Sequence, residues 1–259
     1  MSPSTPLGDF VWYELLAIDQ ARAKSFYTAV LGWTTEDWQS DPAADPYTMW
    51  MNRGTPLGGI MALPEGAKAA GAPSHWLAYV STPDTNATLG KATGTGAKAL
   101  MGPMDVPTVG RIAVLADPQG AVIAIYTPAN ERPAPPDEPP IGTVSWHELA
   151  TDDWQKAWTF YSGLFGWKKG EAYDMGPIGT YQLFGKGGPP LGAVYNRPPE
   201  VPVSNWLLYF LVADLDATLD KVRANGGQVL YGPLDVPGGK VATCMDPQGA
   251  AFALHWKQA

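Results

Sequence analysis

Glu14 and Glu148 are the carboxylates whose spacing best suits chemistry. Each follows a tryptophan at i−2, so Trp12 shares a strand face with Glu14, and Trp146 shares one with Glu148. A carboxylate in such a place can move protons or ligate a divalent cation, and an indole beside it favours a flat apolar ligand. The three histidines, His75, His147 and His255, are the other groups that could ligate a metal or titrate near neutrality. Arg111 and Lys240 each lead into a β-like stretch and could clamp a ligand carboxylate, with a surface ion pair as the alternative. The lone Cys244 cannot form an internal disulfide. Just before Asp246-Pro-Gln-Gly, it reads as a small buried filler rather than a reactive thiol.

These residues lie in a chain that repeats itself. Trp12, Glu14, Leu15, Asp19, Phe26, Tyr27, Gly32 and Trp33 are matched, at one constant offset, by Trp146, Glu148, Leu149, Asp153, Phe160, Tyr161, Gly166 and Trp167. The match continues through Pro56-Leu-Gly58 and Pro190-Leu-Gly192. It ends with Asp117-Pro-Gln-Gly120 and Asp246-Pro-Gln-Gly249. Two long repeats mean duplication of a whole domain rather than a solenoid, and any site should occur as a pair. One chain would then supply the assembly that two subunits supply elsewhere, so a monomer suffices, while the outer surface leaves a homodimer open.

The elements that must position these groups are readable in part. Phe10 to Leu16 is strand-like, and Asp19 caps a helix with apolar positions Ala23, Phe26, Tyr27, Val30 and Leu31 that Gly32 ends. Short β-like runs follow at Tyr47 to Met51 and Leu57 to Leu63, then a strand at His75 to Val80 and a weaker helix from Asp84 to Lys91. Ile112 to Ala116 and Val122 to Tyr126 form a hairpin on the Asp117-Pro-Gln-Gly turn. The later half predicts a helix capped by Asp153 and ended by Gly166, and another from about Asp216 to Asn225. Its strands fall at Asn205 to Val212, Lys240 to Met245 and Ala251 to Trp256. The Pro-rich stretch 128–140 reads as an extended linker between domains at 8–127 and 141–257. The fold class is α+β, four βαβββ modules in two domains.

Composition narrows the function classes. At 259 residues and 45% hydrophobic, the chain can bury two cores of ordinary size. A net charge of −8 with no clustered Lys or Arg argues against a nucleic-acid partner. The N-terminus carries no signal-peptide pattern, and no apolar run approaches the roughly 20 residues that span a bilayer, so a cytoplasmic protein with no membrane partner is expected. No Gly-x-Ser-x-Gly elbow supports Ser-His-Asp chemistry, and Gly185, Gly187 and Gly188 lack Walker or Rossmann spacing.

A strand, a capped helix carrying Phe-Tyr and closing in Leu/Phe-Gly-Trp, and a terminal Asp-Pro-x-Gly hairpin resemble the vicinal oxygen chelate superfamily. That superfamily includes glyoxalase I, bleomycin-resistance proteins and extradiol dioxygenases. The resemblance covers nearly the whole chain outside the linker. It implies concave half-barrel sheets and, in the enzymes, a divalent metal held by His, Gln or Glu from the first and last strands of paired modules. Counting back from Phe26 and Phe160 places the first-strand ligands at Trp12 and Trp146. Counting on from the turns places the last-strand carboxylates at Ala124 and Ala253. None of these four can bind a metal, and His75 alone near the second module's start makes no site.

Strand parity offers Glu14, Glu148, Tyr126 and His255 as alternates on the same faces. A metal-dependent reading would use Glu148 or Glu14 with His255, holding one iron, nickel, zinc or manganese ion for lyase, isomerase or ring-opening chemistry, with Glu moving protons. The bland reading has the two glutamates hydrogen-bonded to backbone or to a base such as Arg111 or Lys240, and His255 satisfied in a core or cavity. His147 sits one register off and favours packing. The chain is otherwise rich in rings, with 11 Trp and 11 Tyr. Trp12, Trp146, Trp76 and Trp206 could line pockets for a planar molecule, core filling being favoured for the last two. The expected function is therefore a metal-free, cofactor-free member that binds a small apolar or aromatic molecule, an antibiotic or metabolite, through Trp12, Glu14, His75, Trp76, Tyr126, Trp146, Glu148, Trp206 and His255.

Overall fold

A computed structural model describes residues 7–39, 46–130 and 138–258. Four βαβββ modules follow one another. The first is β1 (Phe10–Ala17), α1 (Gln20–Leu31), β2 (Thr34–Trp38), β3 (Tyr47–Asn52) and β4 (Thr55–Ala62), with a one-turn helix α2 (Glu65–Ala69) after it. The second is β5 (His75–Ser81), α3 (Thr85–Gly94), β6 (Lys98–Val106), β7 (Gly110–Ala116) and β8 (Val122–Pro128). The third is β9 (Val144–Thr151), α4 (Trp154–Phe165), β10 (Lys168–Asp174), β11 (Thr180–Gly185) and β12 (Pro190–Asn196). The fourth is β13 (Asn205–Leu211), α5 (Leu215–Ala224), β14 (Gln228–Val236), β15 (Gly239–Met245) and β16 (Ala251–Lys257). One eight-stranded sheet has the order β2-β3-β4-β1-β5-β8-β7-β6, the other β10-β11-β12-β9-β13-β16-β15-β14.

Each sheet takes its strands from one half of the sequence, but the side chains pack by a different division. One compact unit joins Ala78–Asp137 with His147–Trp206 and the stretch ending at Val11; the other joins Trp12–Leu77 with Glu138–Trp146 and Leu207–Ala259. The modules of one half are thus cored by modules of the other. The proposed linker lies largely outside the described residues at 131–137, while Pro128 closes β8.

In the Trp12–Leu77 unit, α1 is capped by Asp19, whose carboxylate accepts the Arg22 N–H at 3.0 Å, and ends on Gly32 at φ +72°. Its inner face carries Phe26 and Tyr27 into a cluster with Trp33, Trp50, Trp76, Phe210 and Phe252, ring centroids 5.0 to 6.2 Å apart. At the centre, the Tyr27 hydroxyl receives the Trp76 indole N–H at 2.9 Å and donates to Asp246 at 3.3 Å. Asp246 spends its other oxygen on the backbone N–H groups of Gln248 and Ala250. Gln248 in turn clamps Asp19, accepting from its N–H at 2.6 Å and donating to its carbonyl at 2.9 Å. The turn at one end of the sequence therefore fixes the first turn of the helix near the other end.

The Ala78–Trp206 unit repeats this arrangement. Trp206 donates to the Tyr161 hydroxyl at 3.1 Å, Tyr161 donates to Asp117 at 2.9 Å, and Gln119 clamps Asp153 with bonds of 2.6 and 2.9 Å. Burial raises both aspartates, and the turn amides and the phenol oppose that rise.

The edge strands β2, β6, β10 and β14 escape sequence reading because they are exposed and carry no apolar alternation, as Thr34-Thr-Glu-Asp-Trp38 and Lys168-Lys-Gly-Glu-Ala-Tyr-Asp174 show. Helix α5 begins earlier than the expected Asp216. Asp214 is its cap, accepting the Ala217 N–H at 3.0 Å, and Leu215 is buried beneath it. Among the described residues no helix is long and apolar enough to cross a membrane.

Removing the central phenol leaves a buried carboxylate oxygen and a buried indole N–H without their partner. Tyr27→Phe and Tyr161→Phe should each lower unfolding free energy by about 1–3 kcal/mol in urea melts. A loss as small as that of an exposed Tyr→Phe control would show that these phenols are not structural.

Candidate functional site

The face of each first strand that points away from its helix carries the paired residues. On β1, Leu15 and Ala17 are fully buried, while Trp12, Glu14 and Leu16 occupy the opposite face. The register extends that face across neighbouring strands. Glu14 lies beside Gly59 and Leu16 beside Met61 on β4; Met49 lies opposite Gly59, and Tyr47 opposite Trp38. The result is a half-buried floor that includes Trp12, Tyr47 and Met49, with Trp38 across from Tyr47 and the exposed Glu36 across from Met49; Glu14 itself is only 4% exposed.

A phenol meets that carboxylate. The Tyr47 hydroxyl donates to Glu14 Oε1 at 2.8 Å and accepts the Trp12 indole N–H at 2.9 Å. Burial, and then the Glu14 charge, push the Tyr47 phenol well above its ordinary pKa, so it stays a donor. The close packing depends on Gly59, since a Cβ there would stand 1.8 Å from the Tyr47 hydroxyl. In the third module, Tyr181 donates to Glu148 Oε1 at 2.6 Å, and Tyr195 donates to Oε2 at 3.4 Å. Tyr181 is the repeat counterpart of Tyr47, Ala193 that of Gly59, and Tyr195 that of Met61. Sequence reasoning misses the tyrosine pair as site residues, although it obeys the same offset as the tryptophans and glutamates. Tyr47 reads locally only as the start of a strand.

Other expected site residues fall elsewhere. Trp76 and Trp206 are core residues, their indoles committed to Tyr27 and Tyr161. The void beside Trp206, lined also by Tyr161, Trp167 and Phe184, is about 10 Å³ and admits one water at most. His75 turns its Nδ1 to the Pro73 carbonyl at 2.9 Å, and Tyr126 donates to the Val109 carbonyl at 2.9 Å. His255 Nδ1 lies 2.9 Å from the Ser145 hydroxyl, whose oxygen also lies 3.3 Å from the Tyr209 carbonyl. Burial and then Lys257 lower the His255 pKa and keep the ring neutral. Arg111 and Lys240 turn to aspartates rather than to the glutamates: Arg111 pairs with Asp105 at 2.8 Å, and Lys240 stands 3.9 Å from Asp235. Cys244 is buried, its thiol pushed up to about 12 by burial.

His147 takes the packing role. Its ring stacks on Phe10 at 3.6 Å and 9°, and a neutral Nδ1–H donates to the Leu191 carbonyl at 2.8 Å. Burial pushes its pKa down to about 3.

The side chains do not fit the metal centre that the resemblance implies. Trp12, Trp146, Ala124 and Ala253 offer no lone pair to a metal, and among the described residues no group of three or more His, Cys, Asp or Glu could hold one. What the geometry offers is an aromatic and methionine-lined face with a buried, phenol-bonded carboxylate in its floor. Such a face can orient a flat ligand by stacking and by accepting hydrogen bonds from it.

Gly59→Ala should force Tyr47 off Glu14 and lower stability by about 1–3 kcal/mol, with a change in Trp12 emission; an unshifted emission spectrum and melt would refute the close packing. For His147, the unfolded chain binds a proton below about pH 6.5, whereas the folded chain does so only near pH 3, so folding loses stability on acidification between these values. The stability advantage of the wild type over His147→Gln should shrink by about 2–3 kcal/mol from pH 6.5 to 4.5. An advantage that holds constant with pH would contradict a buried neutral ring.

Comparison with known proteins agrees with this architecture. The description Glyoxalase/Bleomycin resistance protein/Dioxygenase superfamily fits residues 9–125 and 143–254. The mycobacterial protein CFP32 of Mycobacterium bovis, named as a glyoxylase, is 33% identical over 245 residues, spanning 94% of this chain and 92% of that protein. The anthracycline biosynthesis protein DnrV of Streptomyces peucetius is 32% identical over 259 residues, spanning 94% and 91%. Among solved structures, the Mn(II)-bound glyoxalase from Novosphingobium aromaticivorans shares the fold at TM-score 0.64 and 14% identity, over 97% of this chain and 83% of that one. An extradiol ring-cleaving dioxygenase from B. fuscum does so at TM-score 0.64 and 16% identity, over 100% and 75%. With both halves matched and the sheet order of paired βαβββ modules in place, the chain belongs to the Glyoxalase/Bleomycin resistance protein/Dioxygenase superfamily.

Proposed function

We propose that this superfamily member binds a small planar, apolar or aromatic molecule, an antibiotic or a metabolite, and does so without a metal ion. The observation that carries the reading is the occupancy of the ligand positions. Where counting from Phe26, Phe160 and the Asp-Pro-Gln-Gly turns places the superfamily's metal ligands, this chain has Trp12, Trp146, Ala124 and Ala253, and the carboxylates two residues on from the tryptophans, Glu14 and Glu148, are engaged by tyrosine hydroxyls. Indole rings and thioethers suit stacking on a flat molecule better than ligating a hard divalent metal ion, and methionine adapts to irregular ligand shapes. Relatives named for anthracycline biosynthesis support a polycyclic aromatic ligand of this kind. Binding here would be sequestration or presentation rather than turnover.

The test is elemental mass spectrometry after equilibrium dialysis of the purified protein against low concentrations of iron, nickel, zinc and manganese. No ion above background is expected, together with saturable quenching of tryptophan emission by a polycyclic aromatic probe such as an anthracycline. About one bound ion per chain or per half would overturn the metal-free reading and direct the search to vicinal-oxygen substrates.

A further inference from the structure

The second and fourth modules are matched copies, yet their open sheet faces differ in polarity and charge. On β15 and β16 the side chains of Ala242, Cys244, Phe252 and Leu254 are buried, so alternation turns their neighbours the other way. With β14 paired alongside, that second face carries Tyr231, Leu234, Val241, Thr243, His255 and Lys257 around the fully buried methyl of Ala253. Asp235 is the only carboxylate in the three strands, and the register sets it with Lys240 and Trp256 on the opposite face. In a chain of net charge −8, these strands thus present a face with no acid and with a lysine at its end.

The polar groups of that face are uncommitted. His255 meets the Ser145 hydroxyl through Nδ1 at 2.9 Å; among the described residues nothing hydrogen-bonds its Nε2 or the Thr243 hydroxyl, and nothing forms an ion pair with Lys257. His255 and Thr243 are half-buried, Lys257 is exposed, and Tyr231 and Leu234 are 65% and 39% exposed. The second module has Tyr126, Val114, Pro128 and Met101 where the fourth has His255, Thr243, Lys257 and Tyr231, and its Tyr126 hydroxyl donates to the Val109 carbonyl.

We infer that this face of the fourth module binds a planar aromatic acid, its carboxylate held by Lys257 and His255 and its ring laid across Val241, Leu234 and Tyr231. The inference rests on the reading of an aromatic-binding protein and adds the ligand's chemical class. A carboxylate only accepts hydrogen bonds, and here it is offered an ammonium and an imidazole N–H from two residues that share one strand face. Burial and then Lys257 keep the imidazole neutral, so it donates through Nε2 when Nδ1 accepts the Ser145 O–H. The tyrosine ring and the aliphatic side chains supply a flat apolar bed for the rest of the molecule.

The experiment is isothermal titration calorimetry of the full chain with 2-naphthoate, anionic at pH 7, and with neutral 2-naphthalenemethanol. The wild type should bind the acid roughly tenfold more tightly, the order expected of one charge-assisted hydrogen bond. Lys257→Met keeps an apolar stem at an exposed position. It should erase most of the preference while leaving the alcohol's affinity within about twofold, which also shows that the variant is folded. His255→Leu should weaken the acid more than the alcohol, and Lys240→Met, on the opposite face, should keep the preference. Equal affinity for both probes in the wild type would overturn the acid assignment and leave aromatic binding standing. A preference that survives both Lys257→Met and His255→Leu, or that Lys240→Met removes, would overturn the assignment to this face. Binding of neither probe would overturn the inference through failure of the aromatic-binding reading itself.

Discussion

The structure depends on a buried hydrogen-bond chain in which a tryptophan donates to a tyrosine, the tyrosine donates to an aspartate, and the aspartate holds the turn that follows it. Tyr27 and Tyr161 sit among aromatic rings that would leave a polar group badly exposed to a low dielectric, so each hydroxyl must be met from both sides. The partners come from the other half of the sequence: Asp246 for Tyr27 and Asp117 for Tyr161. The glutamine two residues after each aspartate then saturates the first turn of a helix. A duplicated chain satisfies both copies of this requirement at once. That explains why the compact units cut across the repeats while the sheets follow them.

Once the helices are pinned on one side of the sheet, strand alternation places Trp12 and Glu14, or Trp146 and Glu148, on the other. A buried carboxylate there must be satisfied, and tyrosine hydroxyls contribute to that in both repeats. Tyrosine suits this place because its ring adds apolar area while its hydroxyl, held protonated by burial, remains a donor. A phenol donates without neutralising, whereas a guanidinium would bring a full positive charge. In the first module the face is therefore largely apolar, with the buried Glu14 and, on the exposed edge strand, Glu36 as its acidic groups.

The superfamily's fold thus stands in a chain whose counted ligand positions carry indole and methyl groups. The modules are held by rings, caps and turns on the helix side, and the opposite face carries a chemistry of its own. His147 shows the division in one residue. A histidine beside the expected ligand position packs against Phe10 on the core side, its imidazole kept neutral by burial. One register separates core from cavity on a strand.

The sequence by itself determined the module count, the helix caps at Asp19 and Asp153, the Asp-Pro-Gln-Gly hairpins and the residues at the counted ligand positions. These depend on local spacing and on a repeat that can be read by eye. It also put Trp12 with Glu14 on one strand face, since period-two alternation is a backbone property. Tertiary structure alone decided that tyrosines meet those glutamates. Tyr47 and Tyr181 lie on strands remote in the chain, and their reach depends on what the neighbouring strand carries, Gly59 in one repeat and Ala193 in the other. It likewise sent Trp76 and Trp206 to the core and Arg111 and Lys240 to surface aspartates, because burial and pairing depend on partners far away in the chain. The exposed edge strands stayed unreadable for the complementary reason: with no buried face, nothing forces their residues to alternate.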